Sequence, residues 1–452
     1  MHVYIKQIIY TSLSLSLIGI SCSSEDPILS NSENNCLLNN EEEFLVREFS
    51  GFAHVFQGSD PTKIDKSLDP LITYLENAKI VGLGEATHGT KEFYDMKHKI
   101  FRKLVLEKGF KAIVFEIPWG NALVINDYVL NDVGAANEVI NQTWYWTYDT
   151  EEVRELVRWM HDYNLDKSAE DKIHFVGCDP QGPDFSIEEK LVREYVLSIF
   201  PDSTFFISSA YQNLPNNNLS SYVNDDPFIH NSNIIGIQTV LQLFENHKDI
   251  LITTSSLFEY EVAKMAAHLI KERERIYRTA QFGAPRDSLM AFYALWWNRI
   301  LGEDSQLATW AHNLHVMDGG SFNSTLMGTV LKDELDDDYI NIGFSFSKGS
   351  LNAFLADRNR NAIGGTRRQS LSAPVCNSTN HLLYEVDGNQ HYYIFDELQG
   401  DAATYFKSPN PFMQCGAGFN PLYVNNYVRN FPLSQSLDVL IHFDETNASK
   451  LR

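Results

Sequence analysis

Residues 81–90 read Val-Gly-Leu-Gly-Glu-Ala-Thr-His-Gly-Thr and set a carboxylate, Glu85, and an imidazole, His88, on a glycine-flanked turn. The apolar run Ala78–Leu83 ahead of the turn suits a buried strand. Behind it, Phe93, Met96, Ile100, Phe101, Leu104 and Val105 recur at helical spacing between Lys91 and Lys108. Strand, turn and helix in that order are the repeating unit of an α/β sheet, and they put Glu85 and His88 at a strand's carboxyl end. Ligands of open α/β sheets collect at such ends, where loops are free of the sheet ladder and helix N-termini face the crevice. Taken alone, the turn also fits a plain loop whose Glu and His are merely solvated.

Three further segments repeat the pattern. Lys111–Glu116 is a strand ending in a carboxylate, Ile173–Asp179 is another, and Gln306–His315 delivers His312, Asn313 and His315 from a fourth. Acids and histidines gathered at strand ends are the expected form of an acid/base or metal site. Glu85, His88, Glu116 and His312 are therefore expected to converge on one cleft at the sheet's carboxyl edge.

Between the third and fourth strands the pattern turns helical, most clearly over Phe258–Thr279 and Ser288–Leu301. Residues 186–305 read as a helical insertion capping the strand ends. Arg286 and Asp287 follow Pro285 and start the helix that leads back to the sheet; on their own they would pass for a surface ion pair. Tyr339–Ser347 and Leu382–Glu397 are β-rich, the second as a hairpin turning at Val386–Gln390, and Leu437–Phe443 closes the sheet with His442 as a core or edge histidine. The fold class expected is α/β: a mixed, mostly parallel sheet flanked by helices.

The chain has 452 residues, 44% of them hydrophobic, enough for a large core. Its net charge of −23 argues against nucleic-acid binding and against electrostatic attachment to anionic lipid. At the N-terminus, Lys6 precedes an apolar run from Ile8 to Ile20 that ends in Gly-Ile-Ser-Cys at 19–22. This pattern suits a signal peptide over 1–21, too short to span a bilayer as a mature helix, with Cys22 as a lipidated first residue. Gly19 stands where leucine is usual in such signals, and cleavage to a soluble periplasmic protein is the alternative. A bacterial membrane, the outer membrane or cell surface included, is the expected address. Residues 22–42 are polar and read as a flexible tether, and the catalytic domain is expected over 43–452. Of the remaining cysteines, Cys376 and Cys415 lie in loop-like stretches and are the expected disulfide, whereas Cys178 ends an apolar strand as a buried thiol.

The segments Gly-Glu-Ala-Thr-His-Gly-Thr (84–90), Lys97-His98, Phe115-Glu116, Gly-Cys-Asp-Pro-Gln (177–181), Arg286-Asp287 with Met290, Trp-Ala-His-Asn (310–313) and Ile-Gly-Phe (342–344) occur in this order. Together they resemble the erythromycin esterase family over residues 43–446. Tyr293, where the family usually has asparagine, and Lys97, where arginine is expected in some macrolide-active members, depart from the pattern. The resemblance implies a carboxylic-ester or lactone hydrolase with His88 as general base on water and Glu85, Glu116 and His312 completing the catalytic set. Arg286 could then neutralise the tetrahedral oxyanion, as guanidinium donors do, and Arg286, Asp179, Asp287, His315 and Lys97 are the expected substrate-binding residues. The residues agree: no Gly-x-Ser-x-Gly elbow occurs, and imidazole titrates near neutrality beside orienting carboxylates. No cofactor is expected, and the partner is a small-molecule ester or lactone. Two alternatives stay open: a divalent ion held by these acids and histidines, and a non-catalytic surface lipoprotein that binds a ligand or glycan.

Overall fold

The computed structural model describes residues 36–215, 219–302 and 304–452. The expected signal peptide, Cys22 and the tether up to residue 35 lie outside the described residues.

The strands in chain order are β1 (His54–Val55), β2 (Ile80–Leu83), β3 (Ala112–Pro118), β4 (His174–Asp179), β5 (Leu307–Trp310) and β6 (Tyr339–Ala356). They continue with β7 (Ala362–Leu371), β8 (Gln390–Ile394), β9 (Asn410–Met413), β10 (Gly418–Phe419), β11 (Val428–Phe431) and β12 (Val439–Thr446). The fold is mixed α/β, with a central, mostly parallel sheet flanked by helices. The chain divides into two compact units: one takes residues up to Thr73 with Gly84–Lys99 and Asn341–Lys450, the other Tyr74–Leu83 and Ile100–Ile340 with the last two residues.

In the unit built around Ile100–Ile340, four parallel strands run in the order β2, β5, β3, β4. Their sequences are near-continuous apolar runs because helices cover both faces, as all-parallel strands require. Ala112, Val114, Val176 and Cys178 point to one face and join a core with Trp119, Val192, Val240, Ile270, Trp296 and Trp297. That core belongs to the helices Ser186–Ile199, Pro227–Asn246, Leu257–Thr279 and Ala284–Ile300. On the opposite face Phe115 stacks between Phe175 and Trp310, with ring centroids 4.6 and 4.7 Å away. Trp297 Nε1 donates to the Gly177 carbonyl at 3.1 Å, fastening the helix Ala284–Ile300 to β4.

In the other unit, β12 runs parallel to β6, β8 lies antiparallel to β12, and β1 is antiparallel to β8. The long β6 also carries β7 antiparallel and β10 parallel. Phe93 meets Phe344, Phe346 and Phe443 here, which docks the start of the helix Lys91–Lys103 on the sheet.

Three expectations are corrected in this unit. The first half of the expected hairpin over Leu382–Glu397 is the end of a helix, Thr379–Tyr384, nucleated where the Ser378 side chain accepts the His381 N–H. A short apolar run such as Leu382-Leu383-Tyr384 fits either helix or strand, and the cap decides. Ordered structure also begins before Glu43: the helix Asn40–Ser50 starts from a reciprocal Asn39–Glu42 capping box. Finally, Cys376 is bonded to Cys36, not to Cys415, with Cα atoms 5.6 Å apart, while Cys415 and Cys178 are buried thiols outside any disulfide.

Candidate active site

The candidate residues fall into two clusters, one in each unit. Glu85, His88 and Lys97 form the first. The loop after β2 is pinned by Gly89, whose carbonyl accepts the N–H groups of Asn352 and Ser449 at 3.0 and 2.9 Å. A Cβ on Gly89 would come within 2.1 Å of the Asn352 carbonyl oxygen, so this close approach requires glycine. The Tyr94 hydroxyl donates to the His88 carbonyl, and Cys415 N donates to the Ala86 carbonyl at 2.8 Å. Held in this way, His88 sets its Nδ1 2.6 Å from Glu85 Oε1. The second carboxylate oxygen, Glu85 Oε2, accepts from Lys97 Nζ at 2.5 Å.

The chemical consequence lies in the tautomer. A carboxylate accepts only, so Nδ1 carries the proton in this contact, and in the neutral ring the lone pair lies on Nε2. Glu85 is fully buried and the His88 side chain keeps 13% of its surface, so the ring is the part of the pair that reaches solvent. Lys97 was expected to touch substrate. It is fully buried with its ammonium on Glu85, so it supports the carboxylate from behind.

The second cluster centres on Arg286, in the first turn of the helix Ala284–Ile300. Its Nε and Nη2 donate to the two oxygens of Asp179 at 3.0 and 2.7 Å, and Nη2 also donates to Glu116 Oε1 at 2.9 Å. Burial disfavours its charge, but Asp179 and Glu116 outweigh that and hold its pKa well above the usual arginine value. The guanidinium expected to meet a tetrahedral oxyanion is thus already engaged by two carboxylates. Asp287 does not pair with its neighbour Arg286; its Oδ1 lies 2.5 Å from His315 Nδ1. His315 Nε2 lies 3.1 Å from both Glu116 Oε1 and Arg286 Nη1. Burial again works against charge, yet Asp287 and Glu116 push the His315 pKa up to about 10. His315 is therefore a cation at neutral pH that donates from both nitrogens, which removes it as a base.

His312 is set differently. Its backbone N–H donates to Glu116 Oε2 at 3.0 Å, and its Nδ1 accepts the Leu314 N–H at 3.1 Å as the cap of a short helix. A ring that accepts at Nδ1 in this way carries its proton on Nε2. Sequence reasoning missed Tyr145 and Tyr148, whose hydroxyls donate to Asp179 Oδ2 at 2.8 Å and Glu116 Oε2 at 3.3 Å. It also missed Gln181, whose backbone N–H donates to Asp179 Oδ1 at 2.9 Å. The aromatic run Trp144-Tyr145-Trp146-Thr147-Tyr148 in a polar connection was the available signal.

A histidine oriented by a carboxylate just past a strand end is suited to proton transfer. Residues 105–446 match the erythromycin esterase family, and the chain belongs to that family. The matched span begins after His88. Membership suggests hydrolase activity on a small-molecule substrate. Among curated relatives, an erythromycin esterase type II of Escherichia coli is 22% identical over 310 residues, covering 62% of this chain and 72% of the relative. Among solved structures, a Bacillus cereus protein superposes with a TM-score of 0.81 at 24% identity, over 91% of this chain and 99% of that one. A mutant of the erythromycin esterase EreC in its open conformation gives 0.64 at 18% identity, over 89% and 98%.

Proposed function

We propose that this chain hydrolyses a carboxylic ester or lactone, with His88 as the general base on water. The observation that carries the reading is the 2.6 Å contact between His88 Nδ1 and Glu85 Oε1, which fixes the ring with Nε2 as acceptor. In the forward step Nε2 takes a proton from water as the water oxygen bonds to the carbonyl carbon, and Glu85 stabilises the imidazolium. The tetrahedral intermediate then collapses; the carbon–oxygen bond of the ester breaks, and the imidazolium returns its proton to the leaving alkoxide. The products are a carboxylic acid and an alcohol, joined in one molecule if the substrate is a lactone. Glu116 and His312 complete the proposed catalytic set. Arg286, Asp179, Asp287 and His315 hold charge for substrate binding. The scheme runs without a metal ion.

A macrolide lactone is the first substrate to try, because the E. coli relative is named an erythromycin esterase. The test is turnover of a 14-membered macrolide and a panel of simpler esters by the purified chain, read by mass spectrometry as gain of one water. Turnover that vanishes in His88→Ala supports the scheme. Near wild-type turnover in that variant removes His88 from it.

We further propose export and lipid anchoring at Cys22. The apolar run ending in Ser21-Cys22 supports this, and so does the Cys36–Cys376 disulfide, a bond that persists in oxidising compartments. Labelled fatty acid absent from the native protein, or unchanged fractionation of Cys22→Ser, would contradict it.

A further inference from the structure

The net charge of −23 conceals an uneven distribution. From Arg358 through Ser372, covering the turn between β6 and β7 and all of β7, there is no Asp or Glu, while Arg358, Arg360, Arg367 and Arg368 are all exposed. Arg429 on β11 adds to them: burial and the nearby Arg360 lower its pKa, so two guanidinium groups stand close enough to repel. Asp357, at the root of the turn, has its carboxylate on the N–H groups of Asn359 and Asn361, both at 2.8 Å. Arg367 and Arg368 have no ion-pair partner among the described residues.

Three features bear on what meets it. Among the described residues β7 pairs only with β6, so its outer edge is open, with Arg367 and Arg368 leaving opposite faces of the strand. Beside it lies an open groove of about 330 Å³ lined by Lys348, Arg368, Ser350, Ser370, Ser372 and Asn447. Glu445 also borders this groove, 4.0 Å from Lys348, and is the single carboxylate there. Cys36, the first described residue, is bonded to Cys376, five residues beyond Leu371 at the end of β7. Five residues span at most roughly 18 Å, so Cys376 and its bond to Cys36 lie within that reach of the end of β7 that borders the groove.

We propose that the arginine-bearing edge strand β7, with the tip of its hairpin and the adjoining groove, docks on the anionic headgroups of a phospholipid bilayer. Guanidinium groups suit phosphate because they offer paired donors, and the hydroxyls of Ser350, Ser370 and Ser372 add further donors in the groove. Arginines on an open edge also block pairing with another strand, but that role does not call for Arg358, Arg360 and Arg429 off the strand. Sequence alone argued against attachment to anionic lipid because only the net charge was visible. The patch reverses that locally, and the lipid anchor proposed at Cys22, on which this part of the proposal rests, would hold it at the surface against the repulsion of the remaining chain. Acyl chain and basic patch together are the combination that gives stable attachment.

The test is flotation of the full-length chain with vesicles of phosphatidylcholine alone and of phosphatidylcholine with about one third phosphatidylglycerol. The ratio between the two compositions cancels any binding through the apolar N-terminus. At low salt the anionic vesicles should bind at least about tenfold more tightly, since each basic residue near such a surface contributes roughly fivefold, and the preference should fade by about 0.5 M salt. R367E/R368E should abolish the preference; neither residue has an ion-pair partner among the described residues, so the fold should survive the change. K63E/K66E, an equal charge change at exposed sites elsewhere in the same unit, should retain it. Equal binding to both vesicle types, or a preference that survives R367E/R368E, would overturn the proposal. Retention of polyglutamate through these arginines without a lipid preference would also overturn it and reassign the surface to an acidic protein partner.

Discussion

Glu85→Gln isolates what the carboxylate behind His88 does. The wild-type carboxylate can only accept, so it fixes the proton on Nδ1 at 2.6 Å and keeps Nε2 basic. The amide that replaces it can instead donate to Nδ1, which drives the proton to Nε2 and removes the lone pair that takes a proton from water. A base locked in the wrong tautomer loses about 10²–10⁴ in kcat, or roughly 3–5 kcal/mol of barrier. KM should change little, because the ring keeps its place. The substitution has a second effect: Lys97 Nζ lies 2.5 Å from Glu85 Oε2, and both side chains are fully buried. Removing one partner of such a pair costs about 3–5 kcal/mol of stability, so the variant must also be unfolded in urea. Glu85→Gln with Lys97→Met should recover most of that stability and none of the rate. The assay is single-turnover ester hydrolysis beside urea titration of each variant. A single variant within about threefold of wild-type kcat, or a double variant that regains activity along with stability, would refute the reasoning.

Three other outcomes follow from particular contacts. Arg286→Met leaves Asp179 and Glu116 without the guanidinium that bridges them, and urea titration should show a loss of about 3–5 kcal/mol; an unchanged midpoint would mean the network carries no net stability. The cross-strand pair His391 and His442 is fully buried, and burial depresses each pKa from 6.5 to about 3. The unfolded chain therefore takes up protons that the folded chain refuses, and stability falls as pH drops below about 6.5. Asp444, raised to about 6 by burial, runs the other way between about 4 and 6, so the net slope is roughly 1.4 kcal/mol per pH unit; His391→Phe should flatten it, and an unaltered pH dependence of the urea midpoint would contradict this. The pair Cys36→Ala and Cys376→Ala should cost about 2–5 kcal/mol, and the unreduced, denatured wild type should show Cys178 and Cys415 but not Cys376 as reactive thiols.

Much of this architecture was legible because it rests on local patterns. The apolar runs of β2, β3, β4 and β5 are buried on both faces, and a carboxylate or histidine closes or follows each one. That is why Glu85, His88, Glu116, Asp179 and His312 could be picked out. What each does was less legible, since the role depends on partners distant in sequence. Lys97 has its ammonium on Glu85, and Arg286 already gives its Nε and Nη2 donors to Asp179 and Glu116, contacts that the local sequence does not show. His312 and His315, three positions apart, differ in charge because Asp287 and Glu116 face one ring and a backbone N–H faces the other. The Cys36–Cys376 bond joins segments 340 residues apart, a pairing that spacing alone does not specify. Tyr145 and Tyr148 sit in a connection without periodicity, where the aromatic run 144–148 marks the segment but not which hydroxyls reach Asp179 and Glu116.

The central claim is that His88 activates water for ester cleavage without a metal ion, and hydrolysis in isotopically labelled water by the purified chain and by His88→Ala tests it most directly. After prolonged dialysis against a strong chelator, the wild type should convert its ester or lactone with label in the new carboxylate at an undiminished rate. The variant should lose at least about 10² in rate, with fold and urea midpoint retained. Wild-type turnover in His88→Ala, or activity lost on chelation and restored by one divalent ion, would contradict it.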